Sequence, residues 1–193
     1  MAGVVTLRRG TAPVDPDEAL VLAAQARPEA FGALYERFLP PVYRYLRTRC
    51  DSAEDASDLA QVVFIKAMTS LPRFRSGGAP FSAWLFRIAR NAATDSHRRK
   101  RPSVDFDALP EVFAESPAEA PEAEVVKHDR LHRLAALVAA LDSDKRELLA
   151  LRFAAGLTVP EIARVLGRRQ GTVKKQLFRL IASLKEHYVE ELN

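Results

Sequence analysis

The chain predicts an all-α protein of two helical domains joined by a flexible acidic linker, the second domain a helix-turn-helix (winged-helix-like) unit. Apolar residues recur at spacings of three and four in both halves, and strand-like alternation is absent. Residues 102–124 carry Pro102, Pro110, Pro117 and Pro121 among alanines and acids, without a steady apolar period, which reads as a linker. Between Asp142 and Lys185 three short helices are written out with their start and stop residues. The division that follows is a tail over 1–14, a helical domain over 15–101, the linker over 102–124 and a smaller domain over 125–193.

In the first domain, Asp15 before Pro16, with Glu18 three positions on, supplies an N-cap, a proline preset for the first turn and a capping-box acid, so a helix should begin near Pro16. Pro28 opens a second helix, in which Phe31, Leu34, Tyr35 and Phe38 recur at helical spacing; Pro40 and Pro41 should kink or restart it, because Pro41 lacks an amide donor. Ser52 with Asp55 caps a third helix running to about Leu71, with a core face of Leu59, Ala60, Val63 and Ala67. Pro72 to Pro80, with Gly77 and Gly78, is a loop, and Phe81 to Arg101 forms a fourth, basic helix. Its core stripe is Phe81, Trp84, Leu85, Ile88 and Ala92.

In the second domain a helix from about Ser143 to Ala155 stops at Gly156. A second is capped by Thr158 with Glu161 as its box partner and ends at Gly167, and a third runs from about Gly171. Val173, Leu177, Leu180, Ile181 and Leu184 of the third share a face that should meet Ile162, Ala163, Val165 and Leu166 of the second.

Composition narrows the function classes. No run approaches the ~20 apolar residues of a membrane-spanning helix. Met1 to Thr11 has no signal-peptide pattern, so the expected address is the cytoplasm, without membrane insertion. Cys50 is the only cysteine, which excludes an internal disulfide and a multi-cysteine zinc site. His97, His128, His132 and His187 lack a ligand constellation, and no phosphate-cradling glycine loop or paired-acid site appears, so neither an enzyme nor a cofactor is expected. The formal net charge of +4 hides an asymmetry. Residues 102–124 hold seven acids and no lysine or arginine; removing those seven leaves 29 basic against 18 acidic residues, a net of +11. Such a surplus favours a polyanionic partner.

The cations fall on helix faces. Opposite the core face of the last helix lie Lys174, Lys175, Phe178 and Arg179, with Gln176 at the margin and Arg168 and Arg169 in the preceding turn. A helix so equipped can meet phosphates and base edges in a major groove; the alternative is an ordinary solvated basic face, in which exposed Phe178 has no explanation. The fourth helix carries a second stripe of Arg87, Arg90, Asn91, Thr94 and Arg98, and it ends in Arg98, Arg99, Lys100 and Arg101. The loop before it contains Arg73, Phe74 and Arg75. A ring, cations and a hydrogen-bonding amide suit unpaired bases beside a charged backbone, whereas the plainer reading makes Phe74 a peg pinning the loop to the core. On the third helix Ile65 and Met68 project beside Asp58 and Gln61, a mixed second face that fits either a partner or another helix of this domain.

These blocks resemble the extracytoplasmic-function (ECF) subfamily of bacterial RNA polymerase sigma factors, over about residues 17 to 190. Asp58-Leu59-Ala60-Gln61-Val62-Val63-Phe64-Ile65-Lys66-Ala67 is similar to the family's core-binding helix, which implies that Asp58, Gln61, Ile65 and Met68 face core RNA polymerase. Phe74-Arg75 through Phe81, Trp84 to Asn91 and Asp95 to Arg99 resemble the promoter-melting and minus-ten-reading region. By that likeness Arg73, Phe74, Arg75, Arg87, Arg90, Asn91, Arg98 and Arg99 serve the downstream element, with the Phe74 loop and Asn91 holding a flipped base of the melted non-template strand. Pro160-Glu161-Ile162-Ala163 and Gly171-Thr172-Val173-Lys174 resemble the minus-thirty-five-reading domain, which assigns Arg168, Arg169, Lys174, Lys175, Gln176, Phe178 and Arg179 to duplex promoter DNA.

The sequence departs from the family pattern in two places. Val62 stands where an acid commonly follows the glutamine, and Lys175-Gln176 where a small residue and then arginine are common, which suggests a promoter sequence of its own. The resemblance implies a non-catalytic initiation factor that carries polymerase to promoters and assists melting, and dedicated anti-sigma partners are common in that family. The rival expectation is a helix-turn-helix regulator acting on duplex DNA without polymerase.

Overall fold

The computed structural model describes residues 17–75, 79–99 and 121–190, with residues 99, 121–129 and 190 described through their backbone alone. Helix α1 spans Glu18–Ala26, and Asp15 and Pro16, proposed to start it, lie outside the described residues. Val21 and Ala24 of α1 are buried, and the Gln25 side-chain amide donates to the carbonyls of Leu71 and Phe74 at 2.8 and 2.9 Å. A 3-10 turn at Pro28–Ala30 leads into α2, Phe31–Arg47.

Helix α2 runs without a break through Pro40 and Pro41, so the expected restart does not occur. The reason lies in where the missing hydrogen bonds fall. The two prolines withhold donors from the carbonyls of Glu36 and Arg37, which stand on the exposed side. On the other side Leu34, Phe38, Val42, Tyr45 and Leu46 are buried and hold the rod in register.

Helix α3, Ala53–Ser70, starts as its cap predicts, the Ser52 hydroxyl accepting from the Asp55 amide at 3.0 Å. Ala56, Ala60, Val63, Phe64 and Ala67 form its buried face, with Leu59 half-buried beside them. A 3-10 turn at Leu71–Arg73 precedes α4, Phe81–Arg99. An aromatic cluster ties α2, α4 and the loop together: Phe81 lies edge-on to Phe38 at 5.2 Å and to Phe74 at 5.9 Å, with Trp84 4.9 Å from Phe74.

Helix α5 begins at Pro121, inside the stretch read as linker, and runs to Ala139. Proline at the first position, followed by Glu122 and Glu124 near the helix's positive end, is a sound start. Helix α6, Ser143–Leu149, is capped by Asp142, whose carboxylate accepts from the Lys145 amide at 2.9 Å. Its hydrogen bonds to the Lys145 side chain and backbone hold that carboxyl below its ordinary pKa. The helix continues as a π-helical turn through Ala150–Ala154. Helix α7, Val159–Leu166, has the predicted capping box of Thr158 and Glu161. Gly156 and Gly167 end their helices at φ +71° and +64°, the left-handed region that glycine enters without penalty. Helix α8 spans Gln170–Glu190. Among the described residues no strand is present, so no β-wing flanks this helix-turn-helix unit.

Val173, Leu177 and Leu180 of α8 are buried against Ile162, Ala163 and Val165 of α7 as expected, but Ile181 is 45% exposed. The buried stripe of α8 runs through Val173, Leu177 and Leu180 to half-buried Leu184 at spacings of four, three and four, and Ile181, ~100° around the helix from Leu180, falls at its margin.

The helix-turn-helix unit is docked on the first domain, with α7 against α4 and the π-helical end of α6 against α2. Glu147 of α6, 4% exposed, accepts from the Tyr45 hydroxyl at 2.9 Å, pairs with Arg49, and lies 3.4 Å from Arg90. Burial pushes the Tyr45 phenol above its ordinary pKa against the pull of Arg49 and Arg90, so it stays protonated and donates.

Replacing the Ser52 cap tests the start of α3: Ser52→Ala should cost about 1 kcal/mol in urea unfolding, and Ser52→Asp should restore most of it. Truncating the centre of the aromatic cluster is harsher. Phe81→Ala should cost about 3–5 kcal/mol in the same measurement.

Candidate functional site

Three exposed surfaces gather the residues singled out from the sequence. On α3, Asp58, Gln61, Ile65 and Met68 are all exposed, the last two at 59% and 46%, with Val62 at 41% beside them. Among the described residues no helix covers Ile65 or Met68.

On α8, Lys174, Lys175, Gln176, Phe178 and Arg179 are exposed on the side opposite Val173, Leu177 and Leu180. Phe178 is 76% exposed, and Arg169 is exposed in the turn. Arg168 has a structural task as well, its guanidinium reaching Asp144 at 2.7 Å and the Gln176 oxygen at 3.5 Å. That contact ties the turn to α6.

The third surface divides. Asn91, Thr94 and Arg98 are exposed on α4, while the Arg99 side chain lies outside the described residues. Arg87 donates to the Arg164 carbonyl at 2.8 Å and Arg90 faces Glu147, so both reach the second domain. Arg73 and Arg75 are exposed, Arg75 bonding back to the carbonyls of Pro72 and Phe74 at 3.0 Å. Phe74 is 7% exposed within the aromatic cluster, and Gln25 holds its carbonyl. The ring, edge-on to Phe81 and tilted against Trp84, stands where the peg reading puts it.

Among the described residues no group of three or more His, Cys, Asp or Glu side chains is arranged to hold a metal, and no helix is long and apolar enough to cross a membrane. Glu147 and Tyr45 are buried together beside half-buried Arg49, and none of the three is marked by sequence pattern. A single glutamate on an amphipathic helix has no signature, and the pairing spans 102 positions.

Residues 34–102 match the family model for Sigma-70 region 2, and residues 131–184 that for Sigma-70, region 4. SigD of Mycobacterium tuberculosis, an ECF RNA polymerase sigma factor, is 34% identical over 167 residues, covering 83% of this chain and 77% of SigD. The chain belongs to the ECF family of RNA polymerase sigma factors. BldN of Streptomyces coelicolor, another ECF sigma factor, is 33% identical over 166 residues; the match takes in 86% of this chain and 63% of BldN. CnrH, solved in complex with the cytosolic domain of CnrY, superposes with a TM-score of 0.64 at 28% identity, covering 88% of this chain and 95% of CnrH. The region 2 match thus contains α3, α4 and most of α2, and the region 4 match runs from within α5 into α8, so each exposed surface sits in the module that bears its family's name.

Burial separates neighbouring positions on α8 sharply. Phe178→Ala should leave unfolding free energy within about 0.5 kcal/mol of wild type. Leu177→Ala, one residue earlier but 5% exposed, should cost about 2–5 kcal/mol by the same denaturation curve.

Proposed function

We propose that this chain is a non-catalytic initiation subunit of the cytoplasm, which binds core RNA polymerase, brings it to promoters with two separated elements, and helps melt the downstream one. The observation that supports this reading most is the presence in one chain of three exposed surfaces of different chemistry. One is apolar and acidic, two are cationic, and the cationic ones lie in different modules.

Asp58, Gln61, Ile65 and Met68 dock on polymerase, the two apolar side chains supplying the desolvated centre and Asp58 and Gln61 the orienting rim. Lys174, Lys175 and Arg179, with Arg168 and Arg169 at the entrance, neutralise phosphates as α8 enters the major groove. Gln176 bonds a base edge, and Phe178 makes apolar contact there. Arg87, Arg90, Arg98 and Arg99, with Arg73 and Arg75 at the loop, track the downstream backbone. Asn91 hydrogen-bonds an unpaired base of the non-template strand, and Phe74 serves by holding the loop in place. Capturing extruded bases offsets an unstacking cost of a few kcal/mol per step without a nucleotide cofactor. A protein that occupies these surfaces inhibits the chain, the role of an anti-sigma partner; the solved complex of the sigma factor RpoE with the anti-sigma factor NepR from Bartonella quintana supports that expectation.

Core polymerase mixed with the purified chain and a genomic promoter library should yield transcripts that depend on the chain and share one two-part motif upstream. Dependent transcripts should vanish when the chain is omitted; tight, sequence-specific duplex binding by the chain alone, with no dependent transcripts, would favour a free-standing regulator. Ile65→Glu should keep the wild-type fold and weaken polymerase binding at least about tenfold in a direct titration. Lys174→Ala should lower promoter affinity and reduce the slope of log K against log salt by about 1.

A further inference from the structure

We propose that Asp144 is a positioning residue for sequence reading: through Arg168 it turns the Gln176 amide so that only N–H donors face the DNA groove, which selects a G·C pair over an A·T pair at one position of the upstream element. The hold stands on contacts within the second domain. Its consequence for base choice rests on the reading of α8 as the groove helix given above.

The contacts run from α6 to α8 by way of the turn that follows α7. Asp144 stands in the first turn of α6, and its carboxylate accepts from Nη2 of Arg168 at 2.7 Å. Nη1 of the same guanidinium donates to Oε1 of Gln176, on the second turn of α8, at 3.5 Å. A guanidinium has N–H donors and no acceptor, so the end of the amide that faces it must be the oxygen. The second contact is long, and its effect is to orient: an amide dipole turns its negative end toward a fixed cation. Asp144 fixes where that cation stands. Without it the long Arg168 side chain regains its rotamer freedom.

Packing does not restrain Gln176. Its side chain is exposed, and beside it opens a cavity of about 320 Å³ lined in part by Leu141, Asp144, Leu148, Arg168 and Leu180. The amide therefore has room to turn, and Arg168 decides which way it does. A glutamine at liberty offers a donor and an acceptor side by side, the pattern that adenine N6 and N7 complement. With Oε1 turned to Arg168, Gln176 offers donors alone. Guanine presents two adjacent acceptors, O6 and N7, and so suits it; adenine sets an amino donor beside N7, and that donor meets another N–H group. Arg168 keeps further N–H groups for a phosphate, so the hold does not remove it from backbone contact. Asp144 and Arg168 form a surface ion pair, which adds little to stability, so breaking it leaves the fold in place.

The hold and its consequence are measured separately. In the whole free chain the Gln176 side-chain amide signal, identified by its loss in Gln176→Ala, is followed by NMR. Asp144→Asn and Arg168→Ala should each shift it, and circular dichroism verifies that both variants fold. An amide signal unmoved in both folded variants would overturn the hold. With core polymerase and a promoter recovered by dependent transcription, each base pair of the upstream element is then replaced in turn by the other three, and open-complex formation is measured. Gln176→Ala marks the position that Gln176 reads by flattening the preference there. At that position the wild-type chain should favour G·C over A·T about tenfold, and Asp144→Asn should cut the ratio to about twofold or less. Asp144→Asn should leave the other positions as they are and add nothing in the Gln176→Ala background. A wild-type preference for A·T there, a ratio unchanged in Asp144→Asn, or no position flattened by Gln176→Ala would overturn the selection. So would a loss spread evenly over all positions, which would mark Asp144 as a support of the fold alone. If no transcript depends on the chain, the sigma reading fails, and the amide signal still decides the hold.

Discussion

Everything in this molecule depends on helix α4 serving two environments at one helical period. Phe81 and Leu85 of its apolar stripe are fully buried, and the aromatic ring cluster around Phe81 joins it to α2 and to the loop before it. Because that stripe is anchored, the cations one step around the helix are presented at a fixed angle without paying entropy at the moment of contact. A loop could carry the same residues, but it could not aim them. The cost is that a rigid, arginine-rich face attracts any nearby acceptor, and the nearest are the carbonyls and carboxylates of the second domain.

The second domain solves a similar problem with less material. Helices α6 and α7 are short, so their ends form a large share of their backbone, and both starts have a side-chain partner. Asp142 and the Thr158–Glu161 box serve the starts, and Gly156 and Gly167 let the chain turn at the ends. Val173, Leu177 and Leu180 seat α8 on this frame, and its opposite face then points outward with Phe178 the most exposed large apolar side chain of the described residues. An aromatic ring left in water within a cationic face has no folding role, which is why it speaks for a ligand.

Much of this was legible before any coordinates. Caps and glycine stops are local chemistry, and they placed the starts and ends of α3, α6 and α7 closely; the apolar period placed the core faces of α4 and α8. The differences share one physical origin, which is tertiary context. Pro40 and Pro41 do not end α2, because their missing donors fall on its solvent side while a buried face holds the rod. Ile181 is exposed because it lies at the margin of a stripe that continues to Leu184, and Phe74 is buried in a ring cluster with its carbonyl held by Gln25 of α1. The Glu147–Tyr45 contact pairs groups 102 positions apart in sequence, and no local pattern announces such a pairing.

The central claim is that two modules read two promoter elements at once, with polymerase setting their separation. Photocrosslinkers placed at Phe178 and at Asn91, on a promoter recovered by dependent transcription, test it most directly. The account predicts that both crosslink only with core polymerase present, at positions about 25 base pairs apart, with the Asn91 crosslink on the melted non-template strand. Crosslinks from both positions to one continuous duplex site, unchanged when polymerase is left out, would contradict it.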